Sequence, residues 1–264
     1  MSNRLVCILS FVVFCYQFAA AQHFCKHLRM QQALANNNTI DLRADTFDVL
    51  SYTIDASLLN YVAAPNLEAI TTIDIVLLKP SSSVSLDLLE LPVSEVKVNE
   101  SVASFHYSSP NLYIELPTIE VGDTFSVEVA YAGKPQSDAQ WGGFYFPGEY
   151  AFNLGVGFAA DPHNFGRAWF PCFDNFVDRA KYYTNVRVDG DKKAYANGLL
   201  LHVVDNGDNT TTYKWAMEEP IPTYLASVAV GNYEEVTMNV DGIPVLLTAL
   251  AADTANLRSS FENI

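Results

Sequence analysis

Phe47-Asp48-Val49-Leu50-Ser51-Tyr52-Thr53-Ile54-Asp55-Ala56-Ser57-Leu58 decides the fold class, because from Tyr52 onward Tyr52, Ile54, Ala56 and Leu58 alternate with Thr53, Asp55 and Ser57. Successive side chains of an extended chain point to opposite faces, so this spacing predicts a strand with one face buried. The same period returns in Ile73, Ile75 and Leu77, in Leu112, Ile114 and Leu116, and in Phe125, Val127, Val129 and Tyr131. Turn chemistry separates these runs: Lys79-Pro80-Ser81-Ser82-Ser83, Ser109-Pro110-Asn111 and Glu120-Val121-Gly122-Asp123. Asn206-Gly207 and Asp241-Gly242 each sit between two apolar runs and predict hairpins, since Gly accepts positive φ cheaply. Leu225 to Val230 is continuously apolar and predicts a strand buried on both faces. Only at the end does the period change. Leu257, Phe261 and Ile264 fall at i, i+4 and i+7 behind Asp253 or Thr254 as N-cap, the opening of an amphipathic helix. The expected class is all-β: half-buried antiparallel strands with a short C-terminal helix.

At the other end, Arg4 is the sole charge before Lys26, Leu5 to Phe18 is almost wholly apolar, and Ala19-Ala20-Ala21 follows. This pattern predicts a secretory signal over 1–21, cleaved before Gln22. A transmembrane anchor is the competing reading, but a bilayer core needs roughly 20 apolar residues. Residues 22–46, with Gln31-Gln32 and Asn36-Asn37-Asn38, read as an N-terminal arm with a short helix around Leu28 to Leu34. The β domain is then expected over 47–250, with 251–264 starting a further unit. Half of all residues are hydrophobic, enough for a large core, and the formal charge of −15 repels nucleic-acid phosphates and anionic membranes. Sequons stand at Asn37, Asn99 and Asn209.

Of the four cysteines, Cys7 and Cys15 lie in the leader. An oxidising compartment permits a Cys25–Cys172 disulfide, yet Cys172, between Pro171 and Phe173, reads more simply as a small buried hydrophobe. None of the five histidines (His23, His27, His106, His163, His202) belongs to an H-E-x-x-H pattern, which puts two imidazoles on one zinc with a glutamate as base. His23 and His27 are spaced i, i+4, with no carboxylate until Asp41. There is no G-x-S-x-G elbow, and Gly142-Gly143 and Gly155-Val156-Gly157 lack the Lys-Ser/Thr of a phosphate loop. Residues 141–174 are instead dense in aromatics, from Trp141 to Phe173. Such a stretch makes either a thick core under irregular loops or a cleft wall, and the core reading is favoured.

Within it stands Arg167-Ala168-Trp169-Phe170-Pro171-Cys172-Phe173-Asp174. Downstream, in order, come Ala180-Lys181-Tyr182-Tyr183, Ala196-Asn197-Gly198-Leu199-Leu200, Tyr213-Lys214-Trp215-Ala216-Met217, Pro222-Thr223-Tyr224-Leu225-Ala226 and Val230-Gly231. Upstream is Phe47-Asp48-Val49-Leu50-Ser51-Tyr52. The ordered set, spanning about residues 47–250, resembles the N-terminal domain of aminopeptidase N-like zinc metallopeptidases.

The resemblance implies a large, twisted, saddle-like set of antiparallel sheets. It implies a following thermolysin-like domain that holds the zinc, with Asp253 to Ile264 as its first helix, and no cofactor in this chain. It implies peptides as substrates and the chain's own catalytic domain as partner. In that family an acidic residue, usually a glutamate a few residues before the arginine matching Arg167, grips the substrate's free α-amine. Asp161, in Asp161-Pro162, stands one residue further back than the commonest spacing and is the candidate here; the other reading of Asp-Pro is a turn starter. Arg167, Pro171, Cys172 and Asp174 are motif residues. Asp174 is expected to cap a turn at Asn175 to Arg179 and to be available to Arg167. The expected function is a substrate-side domain of a secreted aminopeptidase, inactive alone; the alternatives are a stand-alone binding or adhesion module and, on the aromatics only, a carbohydrate-binding sandwich.

Overall fold

A computed structural model describes residues 42–261. The leader, the short helix expected near Leu28, and His23, Cys25, His27 and Asn37 lie outside the described residues. The described residues form seventeen strands. In order they are β1 (Phe47–Leu58), β2 (Leu67–Leu77), β3 (Ser83–Asp87), β4 (Val93–Val98), β5 (Ser101–Val102) and β6 (Phe105–Ser108). Then follow β7 (Asn111–Glu115), β8 (Thr124–Gly133), β9 (Gly142–Tyr145), β10 (Ala151–Gly157), β11 (Ala180–Asp189) and β12 (Lys193–Ala196). The last are β13 (Leu199–Asp205), β14 (Thr210–Ile221), β15 (Val228–Gly231), β16 (Tyr233–Val240) and β17 (Ile243–Leu250), before the helix α1 (Thr254–Ser260). An eight-stranded sheet runs β13-β14-β11-β1-β2-β8-β4-β5; β12-β15-β10-β9, β3-β7-β6 and β16-β17 form three smaller ones.

The all-β reading holds, with one departure from antiparallel pairing. β1 and β11 run parallel, from Ser51 beside Lys181 to Leu58 beside Val188. Parallel neighbours need a long crossover, and everything from β2 to β10 lies between these two.

β1 shows how the sequence pattern meets the sheet. Its register against β2 shifts between Val49 and Ser51. The extra residue of such a bulge changes the parity of the strand. Phe47 and Val49 before it, and Tyr52, Ile54, Ala56 and Leu58 after it, are therefore all buried, while Leu50 is exposed.

A single core joins the large sheet to the two sheets of three and four strands, through Ile54, Ile73, Val127 and Val186, then Leu86 and Ile114, then Phe144 and Val230. Its thickest part is aromatic. Tyr52 stacks on Tyr182 at 5.1 Å, and Phe170 meets both edge-on at 5.4 and 6.2 Å. Each such pair contributes about 0.5–1.5 kcal/mol beyond area burial. Phe144, Phe165, Trp169, Phe170 and Phe173 are buried and Phe146 packs partly buried against them, so about half of the aromatic stretch is core, while Trp141 and Phe158 are exposed.

Both hairpins form. Asp241 and Gly242 have φ of 51° and 89°, and Val240 pairs with Ile243, the geometry of a two-residue turn of the primed type. The Leu225–Val230 run is only partly strand. Thr223–Leu225 is a 3-10 turn, and β15 begins at Val228. Pro222 and the Thr223 hydroxyl, which donates to Asp174 at 2.6 Å, turn the chain there and leave Leu225 exposed. α1 follows β17 with Asp253 at its N-cap position, as the sequence predicts, although Asp253 makes no side-chain cap.

Candidate functional site

β10 ends in a stem from which a short loop projects. Gly157 N–H donates to His163 C=O at 2.8 Å, Val156 bridges Asn164, and Phe165 N–H donates to Gly155 C=O at 2.8 Å. His163 Nδ1 lies 3.0 Å from Gly157 C=O and tightens the same stem. Residues 158–162 form the tip, and Asp161 is exposed there, with no hydrogen-bond partner among the described residues.

Two charged side chains clamp this tip, one from each side. Asp138, just before β9, accepts through Oδ1 from Gln140 N (2.8 Å), Trp141 N (3.0 Å) and Ala159 N (3.0 Å), and through Oδ2 from Ala160 N (2.9 Å). Partial desolvation pushes the Asp138 carboxyl upward, but the N–H groups of Ala159, Gln140, Trp141 and Ala160 outweigh it and bring its pKa down to about 2. The clamp works because β9 and β10 approach closely. Gly142, at φ 116°, would carry a Cβ 1.5 Å from Val156 C=O, so only glycine fits.

On the other side Arg167 Nη1 donates to Asn164 C=O at 2.9 Å and Nη2 lies 3.5 Å from Pro162 C=O, bracketing the residues after Asp161. Its guanidinium also lies over Phe165, 5.4 Å from the ring centroid. Nη1 pairs in turn with Asp174 Oδ2 at 3.0 Å. The Arg167–Asp174 segment is pinned to β1 and β3. Asp87 and Cys172 exchange backbone hydrogen bonds of 2.7 and 3.0 Å, Phe173 N–H donates to the Tyr52 hydroxyl at 3.0 Å, and Asp174 N–H donates to Asp87 Oδ2 at 3.0 Å. Arg43, at the end of the expected arm, closes the array by pairing with Asp87 Oδ1 at 2.9 Å.

Arg167 and Asp174 thus meet as expected, but Asp174 caps no turn. Its carboxylate faces inward, and Asn175 Oδ1 takes the capping role, accepting from Val177 N at 2.9 Å and Asp178 N at 2.7 Å. Cys172 is a buried free thiol, raised well above its ordinary pKa chiefly by desolvation. Sequence reasoning passed over Asp138, Asn164 and Thr223. Asp138 alone carried a signal, an Asp two and three residues before the N–H groups of Gln140 and Trp141, the spacing of an Asx turn.

Chemically, the loop offers one free carboxylate on a rigid support. Beside it Trp141 and Phe158 pack at 4.9 Å, both largely exposed, as an apolar lip. Among the described residues no group of three or more His, Cys, Asp and Glu could hold a metal ion, so a zinc centre does not fit them. No helix among them is long and apolar enough to cross a membrane.

The family model of the peptidase M1 N-terminal domain matches residues 49–225. Leucine aminopeptidase 2 of Vanderwaltozyma polyspora is 27% identical over 198 residues, covering 69% of this chain and 27% of that protein. "Probable aminopeptidase 1" of Sulfurisphaera tokodaii is 24% identical over 154 residues, covering 58% of this chain and 18% of that protein. The M1 zinc metallopeptidase from Deinococcus radiodurans superposes with a TM-score of 0.67 at 21% identity, over 80% of this chain and 52% of that one. That likeness establishes the fold. The chain spans about half of the solved enzyme and under a third of each of the two curated relatives.

Proposed function

The chain belongs to the peptidase M1 N-terminal domain family, and from that premise we propose that it is the substrate-binding and scaffold domain of a secreted, zinc-dependent aminopeptidase. The observation that carries this reading is the 158–162 loop, which holds the unpartnered Asp161 carboxylate between the Asp138 and Arg167 clamps. A protonated α-amine pairs with such a carboxylate through charge-assisted hydrogen bonds. Holding the amine at a fixed distance from a hydrolytic centre restricts cleavage to the first peptide bond. The Trp141–Phe158 lip would exclude water from the pair and strengthen it.

The hydrolytic centre would belong to a catalytic domain that begins near Asp253 and binds the zinc that activates water. What this chain supplies is the grip on the amine and a rigid wall. Residues 1–21 would direct secretion, and peptides with a free N-terminus would be the substrates. Nothing in the geometry favours a stand-alone adhesion module.

The test is Asp161→Asn, which removes the charge and keeps the shape, in the protein joined to its catalytic domain. For peptides with a free N-terminus it should raise KM, lower kcat and reduce kcat/KM roughly 10- to 100-fold, the worth of a hydrogen bond to a charged group. Thermal unfolding should be unchanged. Wild-type kinetics in the variant would reduce Asp161 to a turn residue.

A further inference from the structure

The turn between β13 and β14 uses nearly every polar side chain it contains. Asp205 Oδ1 accepts from Gly207 N–H at 2.9 Å, and Asn206 Nδ2 donates to the hydroxyls of Thr210 and Thr212 at 2.9 and 3.0 Å. Asp208 accepts from Thr210 N–H at 3.2 Å and pairs with Arg187, whose Nε donates to Thr210 Oγ1 at 3.0 Å. Two side chains stand apart. Asn209 and Thr211 make no side-chain hydrogen bond among the described residues, with Asn209 exposed and Thr211 half-buried. The Asn209 backbone is nevertheless fixed, at φ 62° and with its C=O accepting from Gly190 N–H at 2.9 Å. Asn tolerates that left-handed conformation better than most residues.

Asn209-Thr210-Thr211 has the acceptor pattern of N-linked glycosylation, which needs an Asn amide and a hydroxyl two residues on. The two side chains this chemistry uses are the two that the turn leaves free. We infer that Asn209 is an N-glycosylation site, taking its oligosaccharide from a lipid-linked pyrophosphate donor. Asn209 Nδ2 bonds to C1 of the first sugar as the bond from C1 to the pyrophosphate oxygen breaks. The lipid pyrophosphate leaves with that electron pair, the amide gives up one proton to a base of the transferase, and nothing is oxidised or reduced. A sugar attached before folding stays outside the fold, because no contact of the folded chain requires the Asn209 amide.

The sequon at Asn99 has the same pattern in a different setting. Asn99 and Glu100 form the β4–β5 turn, at φ 47° and 66°. Asn99 N–H donates to Ser126 C=O at 3.0 Å and Asn99 Oδ1 accepts from Ser126 N–H at 3.0 Å, so this side chain ties the turn to β8. Turning the Asn99 amide outward costs that bond, and Asn99 should carry less glycan than Asn209.

The inference rests on the reading that residues 1–21 direct secretion, and the experiment separates the two. The chain is expressed in a eukaryotic secretory host, once behind its own leader and once as residues 22–264 behind a leader of known function. Enzymatic deglycosylation in heavy-oxygen water converts each glycosylated Asn to labelled Asp, which peptide mass spectrometry locates. Most molecules should be labelled at Asn209, and fewer at Asn99. The glycosidase-sensitive gel shift should fall by one glycan in Asn209→Gln and in Thr211→Ala, and persist in Thr211→Ser. Thr211→Ala removes a hydroxyl that makes no bond in the fold, so its unfolding midpoint should match the wild type. Label at Asn209 behind the borrowed leader alone would support the site and sink the secretion reading. No label at Asn209 behind either leader, or more label at Asn99 than at Asn209, would overturn the assignment.

Discussion

Arg167 Nη1 lies 3.0 Å from Asp174 Oδ2, with the arginine side chain 12% exposed and the aspartate side chain fully buried. Neither charge is left to a single partner. Asp174 Oδ2 also accepts from Arg167 N–H at 3.2 Å and Oδ1 accepts from Thr223 Oγ1 at 2.6 Å, while Arg167 donates to Asn164 C=O. Gly166 is what lets this carboxylate in, since a Cβ there would sit 3.1 Å from both Asp174 Oδ1 and Thr223 Cβ. One ion pair therefore ties the turn at Thr223 and the stem of the 158–162 loop to the Pro171–Phe173 backbone.

Removing one partner strands the other in the interior. Asp174→Ala should cost roughly 3–5 kcal/mol in urea unfolding, because the guanidinium loses its counter-charge where water cannot replace it. Arg167→Lys keeps a charge but cannot reach Asp174, Asn164 and Pro162 together, so its loss should be smaller. Equal losses in the two variants would mean that the bracketing of the loop, rather than charge neutralisation, is what Arg167 provides.

The Asp138 clamp gives a separable prediction. Because its carboxyl pKa is depressed in the folded chain, its stabilisation is complete above the ordinary carboxyl range and is lost as pH falls through about 2. At neutral pH, Asp138→Ala should release the Ala159 and Ala160 amides to faster hydrogen exchange while amides of β1 and β11 keep their protection. Exchange rising across the whole sheet would show that the clamp supports more than the loop.

The alternation after Tyr52 was enough to read strands and hairpins, because a one-faced strand must repeat every two residues. The parity change at Leu50 was visible only as two sets of apolar residues out of step, and a bulge was needed to reconcile them. The parallel pairing of β1 with β11 left no mark, since it depends on a crossover spanning nine strands of chain. At the site, the Arg167–Asp174 contact was legible from a short motif. Asp138 showed only its own Asx-turn spacing, because its partners across the loop are backbone N–H groups that any residue type carries. Asn164 serves Arg167 through its backbone C=O, and Thr223 meets Asp174 from 49 residues away.

Cys172 should be chemically silent in the folded chain. Burial, then the nearby Asp174 and Asp87, push its thiol upward, so almost no thiolate forms at neutral pH. A thiol reagent should fail to label Cys172 in native buffer and label it fully in guanidinium chloride without reductant. Labelling in neither condition would mean that Cys172 is oxidised, as a bridge to Cys25 would make it.

Asp178 carries the opposite perturbation to Asp138. Burial, then the charge of Asp48, raise its pKa to about 7, against which the Val49 N–H gives only partial relief. Its Oδ2 is buried with no partner in the folded chain. A carboxyl whose folded pKa lies above its unfolded value destabilises the fold where the unfolded chain would ionise. The penalty is absent below about pH 4, grows as pH rises toward 7, and is constant above that. Asp178→Asn keeps the acceptor for Val49 and removes the charge, so it should stabilise the chain at pH 8 by about 2–4 kcal/mol, an upper range set by the size of the shift. At pH 4 the two proteins should unfold at nearly the same urea concentration. A variant equally stabilised at both pH values would place the effect in packing, and one destabilised at pH 8 would show that the carboxylate is held by a favourable partner instead.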